Sequence, residues 1–196
     1  MKNHMVKKVK LLITFLFASV FMIACGGGGS SATPTATPQF PAFEVTSSDY
    51  QEGGEIPIDH ACAGQGGADV SPQLSWIDAP AETDSYAVIM DDETDPCGSG
   101  ADACPHWGVF NIPSTETEFD QGEAVDAIPG VVEEDYFGPC PPNKHTYTTS
   151  VYALADSMPV LDQETIVFTR SEFESSYAEH ILGKGEITGT FTPAAQ

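Results

Sequence analysis

The sequence predicts a mostly β fold, an antiparallel β-sandwich with one late α-helix and long ordered loops. Three observations lead there. Stretches rich in Val, Ile, Thr, Tyr and Phe recur at Tyr86–Met90, Trp107–Ile112, Thr146–Leu154 and Glu186–Phe191, each bounded by Gly, Pro, Asp or Asn clusters that break strands. They follow one another too closely for the crossovers that parallel strands need, so they pair antiparallel. One segment carries helical marks: Ser171 and Glu174 are spaced as a capping box, Phe173, Tyr177 and Ile181 share a face, and Gly183 can end it. The connections Ala61–Val70, Asp91–Pro105 and Asp126–Lys144 are long for a small β domain, and loops of that length tend to be functional.

The chain of 196 residues is long enough for one domain with a sizeable core and too short for two of ordinary size. Its first 24 residues read as a signal peptide. Lys2, Lys7, Lys8 and Lys10 precede an almost unbroken apolar run, Leu11 to Ala24, that is too short to span a bilayer comfortably. Met22-Ile23-Ala24-Cys25 is similar to a bacterial lipobox, with Met22 where leucine is commoner, which makes Cys25 the lipidation site; the alternative is ordinary signal cleavage with Cys25 incidental. Gly26 to Gln39 holds only Gly, Ser, Ala, Thr, Pro and one Gln. Such a segment cannot bury apolar surface, so 25–42 reads as a lipidated flexible tether with a relaxed reach of roughly 20 Å, and 43–196 as the domain. The expected place is the cell envelope: exported, lipid-anchored, facing the periplasm or in the outer membrane.

Net charge is -22, and all 29 acidic residues lie at or beyond Glu44. Set against Lys144, Arg170 and Lys184, they leave the segment after the signal at -26. A surface of this sign repels nucleic acid and anionic headgroups, so nucleic acid is excluded as a partner and membrane contact is through the lipid only. Apart from Cys25 there are four cysteines, an even number that favours two disulfides in an exported chain. Three connectivities are open. Cys97 and Cys104 bracket a short loop and are paired on that ground, which leaves Cys62 with Cys140. No C-x-x-C pair suggests zinc, and no cofactor is indicated.

Several separated motifs carry a resemblance. Ser71-Pro72-Gln73-Leu74-Ser75-Trp76, His106-Trp107 with Asn111 beyond it, and Gly138-Pro139-Cys140-Pro141-Pro142 followed by His145-x-Tyr147 occur in that order. From about Phe43 to Pro193 the chain resembles the phosphatidylethanolamine-binding protein family in its bacterial Raf-kinase-inhibitor-like branch. The resemblance implies a large central antiparallel sheet with a smaller one packed on it. It also implies a pocket for a phosphate or similar small anion, lined at Asp92, Pro96, His106, Gly138, Pro141, His145 and Tyr147.

The residues themselves support such a pocket. Asp92 ends an apolar strand, His106 opens another, and each such place can present a polar side chain to a ligand. At His106 an imidazole can offer one nitrogen to the ligand while a carboxylate orients the other; the alternative is a structural histidine tied to a backbone carbonyl. His145 and Tyr147 share a strand face by the period of two. Gly138 would let backbone approach a ligand, and the prolines stiffen the loop. The family pattern Asp-Pro-Asp-x-Pro falls on Asp92-Glu93-Thr94-Asp95-Pro96, so Thr94 replaces the second Asp and Asp95 is a substitute by a small shift. His60 and His180 read as structural, and Trp76 and Trp107 as core or pocket wall.

The function expected is a non-catalytic exported binding module for a small phosphorylated or zwitterionic ligand, possible inhibition of a partner protein being an activity the family carries. The alternative is a metal- or acid/base-dependent hydrolase using Asp92, His106 and His145, although no G-x-S-x-G or H-E-x-x-H motif accompanies them. A third reading is a structural envelope protein whose pocket is a remnant.

Overall fold

The computed structural model describes residues 39–166 and 168–194. The predicted signal, Cys25 and most of the tether lie outside them. In chain order the elements are β1 (Glu44–Thr46), β2 (Gly54–Glu55), β3 (Leu74–Ile77), β4 (Ser85–Asp92), β5 (Cys104–Pro113), β6 (Glu118–Phe119), β7 (Val132–Glu134), β8 (His145–Leu154), α1 (Arg170–Tyr177) and β9 (Ile181–Phe191). A six-stranded sheet runs β2-β9-β8-β4-β5-β7 and a three-stranded one runs β1-β3-β6. All pairs are antiparallel except the short β2–β9 edge pair. The fold is the predicted one, mostly β with two sheets and one late helix.

Strand β4 explains the layering. Its Tyr86, Val88 and Met90 join Trp76, Trp107 and Phe119 in the core between the sheets, while Ala87 and Ile89 join Phe110, Tyr152 and Phe173 in a second core under α1. A central strand buried on both faces reads as a continuous apolar run, which is why Tyr86–Met90 stood out. Both tryptophans are core residues, and His60 is a buried structural residue whose Nδ1 lies 2.9 Å from the Val70 carbonyl.

Several boundaries differ from expectation. The four recognised strands run longer, because polar and glycine positions such as Asp91, Asp92 and Gly183 pair as well as apolar ones do. The helix begins earlier: Thr169, not Ser171, is the N-cap, accepting from the Glu172 amide at 3.2 Å while the Glu172 carboxylate accepts from the Thr169 amide at 3.1 Å. It ends at Tyr177, so Ile181 and Gly183 belong to β9. A Cβ on Gly183 would come within 3.0 Å of the Pro41 carbonyl and the Pro80 ring, so its glycine admits a neighbouring chain and ends no helix. Within 126–144 lies the edge strand β7. At the other end, the Pro41 carbonyl accepts from the Lys184 amide at 2.9 Å and Phe40 packs on the helix-side core, so these two residues, expected in the tether, pack with the folded domain.

The strand period sends the consecutive carboxylates Asp91 and Asp92, both buried, to opposite faces. Asp91 meets the start of α1, accepting from the Arg170 Nε at 2.6 Å and the Arg170 amide at 2.9 Å. Burial pushes the Asp91 carboxyl up, and the guanidinium beside it pulls the other way. Arg170→Met should therefore destabilise the domain by about 3–5 kcal/mol, because it strands a buried carboxylate. Adding Asp91→Asn to that variant should recover much of the loss in denaturant unfolding; no recovery would show that Arg170 acts through packing alone.

Candidate functional site

Asp92 closes β4 on the sandwich-side face, the face of Tyr86, Val88 and Met90. Tyr147 pairs with it directly across β8, and His145 follows two residues earlier on the same face. His106 reaches them by a different device. Pairing runs Met90 to Trp107 and then Asp91 to Pro105, so His106 is an extra, bulged residue of β5. Simple alternation from Trp107 would turn His106 to the helix side; the bulge returns it to the side of Asp92 and Tyr147, as bulges next to sites do. The His106 ring stands edge-on to Tyr147 with centroids 5.0 Å apart, and the His145 ring stacks on Tyr147 at 6.4 Å.

Hydrogen-bond partners assign the tautomers. His145 Nδ1 lies 2.5 Å from Asp92 Oδ2, an acceptor, so Nδ1 carries a proton, and Nε2 is buried without a partner among the described residues. His106 Nδ1 donates to the Phe137 carbonyl at 2.5 Å. The orienting group expected on His106, a carboxylate, is thus a backbone carbonyl, and the carboxylate serves His145 instead. Burial first of all lowers the His106 pKa, outweighing the carbonyl and the charges of Asp92 and Asp91, which raise it. The neutral ring then presents an Nε2 lone pair. Burial, with Asp92 adding to it, pushes the Tyr147 phenol above the ordinary tyrosine range, so its O–H stays a donor.

Together these groups line a cavity of about 260 Å³, just below the usual span for small-molecule sites. Pro96, Pro105, Pro141, Pro142 and Phe137 supply its apolar walls. Both disulfides border it: Cys97–Cys104 holds one wall and Cys62–Cys140 the other, each with Cα atoms 5.5 Å apart. The Cys97 sulfur lies 3.9 Å from Asp92 Oδ2, but in a disulfide it has no hydrogen to donate. A second cavity, about 300 Å³, opens on the helix side; its charged groups, Asp84 and Asp156, would repel an anion.

Of the seven expected lining residues, the cavity brings together Asp92, Pro96, His106, Pro141, His145 and Tyr147. Gly138 is behind the wall. Its amide donates to Asp69 Oδ1 at 2.6 Å, and a Cβ there would sit 2.1 Å from the His60 carbonyl, so its glycine lets two backbones touch. Asp95 is exposed and does not line this cavity, so it does not stand in there for the missing carboxylate. Thr94 has its own work: its amide donates to Asp92 Oδ1 at 2.7 Å, and its hydroxyl oxygen accepts from the Thr146 amide at 3.0 Å. Sequence reasoning missed Phe137, an exposed aromatic stacked 5.9 Å from the His106 ring. Its signal was a large apolar residue directly before a Gly-Pro turn.

The phosphatidylethanolamine-binding protein family profile matches residues 46–192. The chain belongs to the phosphatidylethanolamine-binding protein family. Its relatives place it in the bacterial branch: a UPF0098 protein of Chlamydia pneumoniae is 31% identical over 154 residues, 76% of this chain and 98% of that one. YbcL of Escherichia coli K12 is 35% identical over 143 residues, 64% of this chain and 76% of the relative. A Mycobacterium tuberculosis protein whose name carries the word lipoprotein, LppC, is 30% identical over 190 residues, 85% and 88% of the two chains. The crystal structure of E. coli YbcL, described as a new member of the mammalian family, superposes with a TM-score of 0.64 at 28% identity, covering 76% of this chain and 98% of that one. Membership of this family indicates a binding-type function.

The lowered pKa of His106 has a sign. Between the ordinary histidine value near 6.5 and the lowered one, an unfolded chain carries a proton that the folded ring does not, so this contribution to stability is whole above about 6.5 and is lost as pH falls through the lowered value. NMR titration should give His106 a midpoint below about 6.5. His106→Gln should flatten the acid side of the stability profile; an unshifted midpoint would show that the ring is wet.

Proposed function

We propose that the chain is an exported, lipid-anchored binding module. It holds a small phosphorylated or zwitterionic ligand of the phospholipid-headgroup kind in the cavity of Asp92, His106, His145 and Tyr147, without transforming it. The observation that carries this reading is the buried His145 Nε2, unpartnered on a ring already fixed by Asp92. A buried polar atom without a partner is costly, and a ligand oxygen or hydrogen would satisfy it. The Tyr147 hydroxyl offers a donor and the neutral His106 Nε2 an acceptor. A guest bringing hydrogens of its own, an ammonium group or a protonated phosphate oxygen, suits that mixture better than a bare anion.

Export is supported by the lysine-rich start and apolar run ending at Cys25, by two disulfides, and by a relative with lipoprotein in its name. Inhibition of a partner protein ranks second, since the cavity accounts for a small ligand and, among the described residues, no surface singles out a protein. An acid/base hydrolase is the other reading, and the Asp92–His145 pair favours it, because a carboxylate-held imidazole with a free Nε2 is built like a general base. Against it, the three cysteine sulfurs at the cavity are all in disulfides, so no thiol nucleophile faces the imidazole.

Calorimetric titration with phosphoethanolamine tests the proposal. Tyr147→Phe should weaken binding roughly fivefold, the worth of one hydrogen bond, and His145→Ala by tenfold or more. Affinity should rise between about 0.01 M and 0.1 M salt, as the Debye length falls from about 30 Å to about 10 Å and the field of the -26 surface is screened. Unchanged binding in both variants would leave the cavity a remnant, and multiple turnovers of a phosphate ester would establish the hydrolase.

A further inference from the structure

Beside the cavity lies a groove of about 570 Å³, lined by Gln65, Asn143, Lys144 and Thr192 among others. Pro141 and Pro142 line both depressions and form the ridge between them. The ridge is held in place: Cys140 is tied to Cys62, and the Gln65 side-chain amide donates to the Pro141 carbonyl at 2.9 Å. The two depressions therefore keep a set spacing, and a ligand bridging them would lose little free energy to ordering the protein.

Lys144 is the distinctive residue of the groove. Of the three basic side chains in the domain, Arg170 pairs with Asp91, Glu93 and Glu186, and Lys184 pairs with Glu174 and Glu186. Lys144 makes no ion pair among the described residues and is exposed. Glu55, which reaches the groove through the Thr192 amide at 2.7 Å, also accepts from the Thr190 hydroxyl at 3.1 Å. With 29 carboxylates in the chain, one unpaired cation lies next to the cavity.

We propose that the ligand carries a second acidic group and that Lys144 and its groove form the subsite that receives it. This rests on the headgroup-type reading above. The chemistry is a phosphate ester with a pendant carboxylate, as in a serine-type headgroup, against an ethanolamine-type headgroup that lacks it. The direction of preference is diagnostic. The overall field of the domain penalises every added negative charge, so a gain from the carboxylate requires a local cation.

The experiment titrates the full chain with glycerophosphoserine and with glycerophosphoethanolamine, soluble esters that differ by one carboxylate. The serine ester should bind about two- to fivefold tighter, the worth of one exposed ion pair, and Lys144→Gln should cancel or reverse that preference. Equal or weaker binding of the serine ester by the unaltered chain overturns the subsite. So does an equal loss for both esters in Lys144→Gln, which would reduce Lys144 to a part of the general field. If neither ester binds at millimolar concentration, the headgroup reading itself fails and takes the subsite with it. A vesicle arm separates the sources: Lys144-dependent retention on phosphatidylcholine vesicles containing phosphatidylserine assigns the serine headgroup to a lipid, and no retention with the soluble preference intact assigns it to a free phosphate ester.

Discussion

Two adjacent carboxylates at the polar end of an apolar strand are the constraint on which the rest of this domain depends. Asp91 and Asp92 are 1% and 2% exposed, and a carboxylate so deep in protein must be paired or hydrogen-bonded. The strand period turns one to each face. On the helix side Asp91 is answered by Arg170, whose amide and guanidinium both bond it, and this pins the start of α1 against the sheet. On the sandwich side Asp92 is answered by the His145 ring and the Thr94 amide, which pins the ring and the loop beyond β4. The same short stretch of backbone thus fixes the helix and the cavity.

The cavity's chemistry follows from what holds each ring. A carbonyl holds His106 and a carboxylate holds His145, so two imidazoles with similar access to one space are not equivalent. The first offers a lone pair, and the second a nitrogen backed by a negative charge. Between them the phenol of Tyr147 keeps its hydrogen because burial opposes its ionisation. A donor and an acceptor thus face one small space with apolar walls.

Much of this was legible in the sequence, and the misses share a cause. His145 and Tyr147 were placeable because a regular strand repeats every two residues. His106 was found from its motif and its place at a strand opening, but its direction was not legible, since the bulge that aims it depends on how β5 pairs with β4, and no local pattern announces an extra residue in a partner strand. Gly138 was assigned to the ligand because a glycine in a binding loop suggests close approach; the approach is real, but the object approached is the His60 carbonyl, distant in sequence. The helix start was misplaced by two residues because Thr169-x-x-Glu172 and Ser171-x-x-Glu174 are equally good capping boxes, and the choice was made by Asp91 waiting at the Arg170 amide. In each case local chemistry was read correctly and tertiary pairing decided among its outcomes.

The disulfides and the net charge belong to one argument. The cavity walls around Pro96–Pro105 and Phe137–Pro142 are mostly loop, without the ladders that hold a strand, and free loops would lose conformational entropy on closing around a guest. A net charge of -22 supplies no long-range attraction for an anion, so anything that fills the cavity would rely on contacts made within it. Two cross-links, proline rings, the Gln65 amide on Pro141 and the Asp69 carboxylate under Gly138 hold the walls in place. Walls held in this way are preorganised, so the loops around the cavity would lose little conformational entropy to a guest.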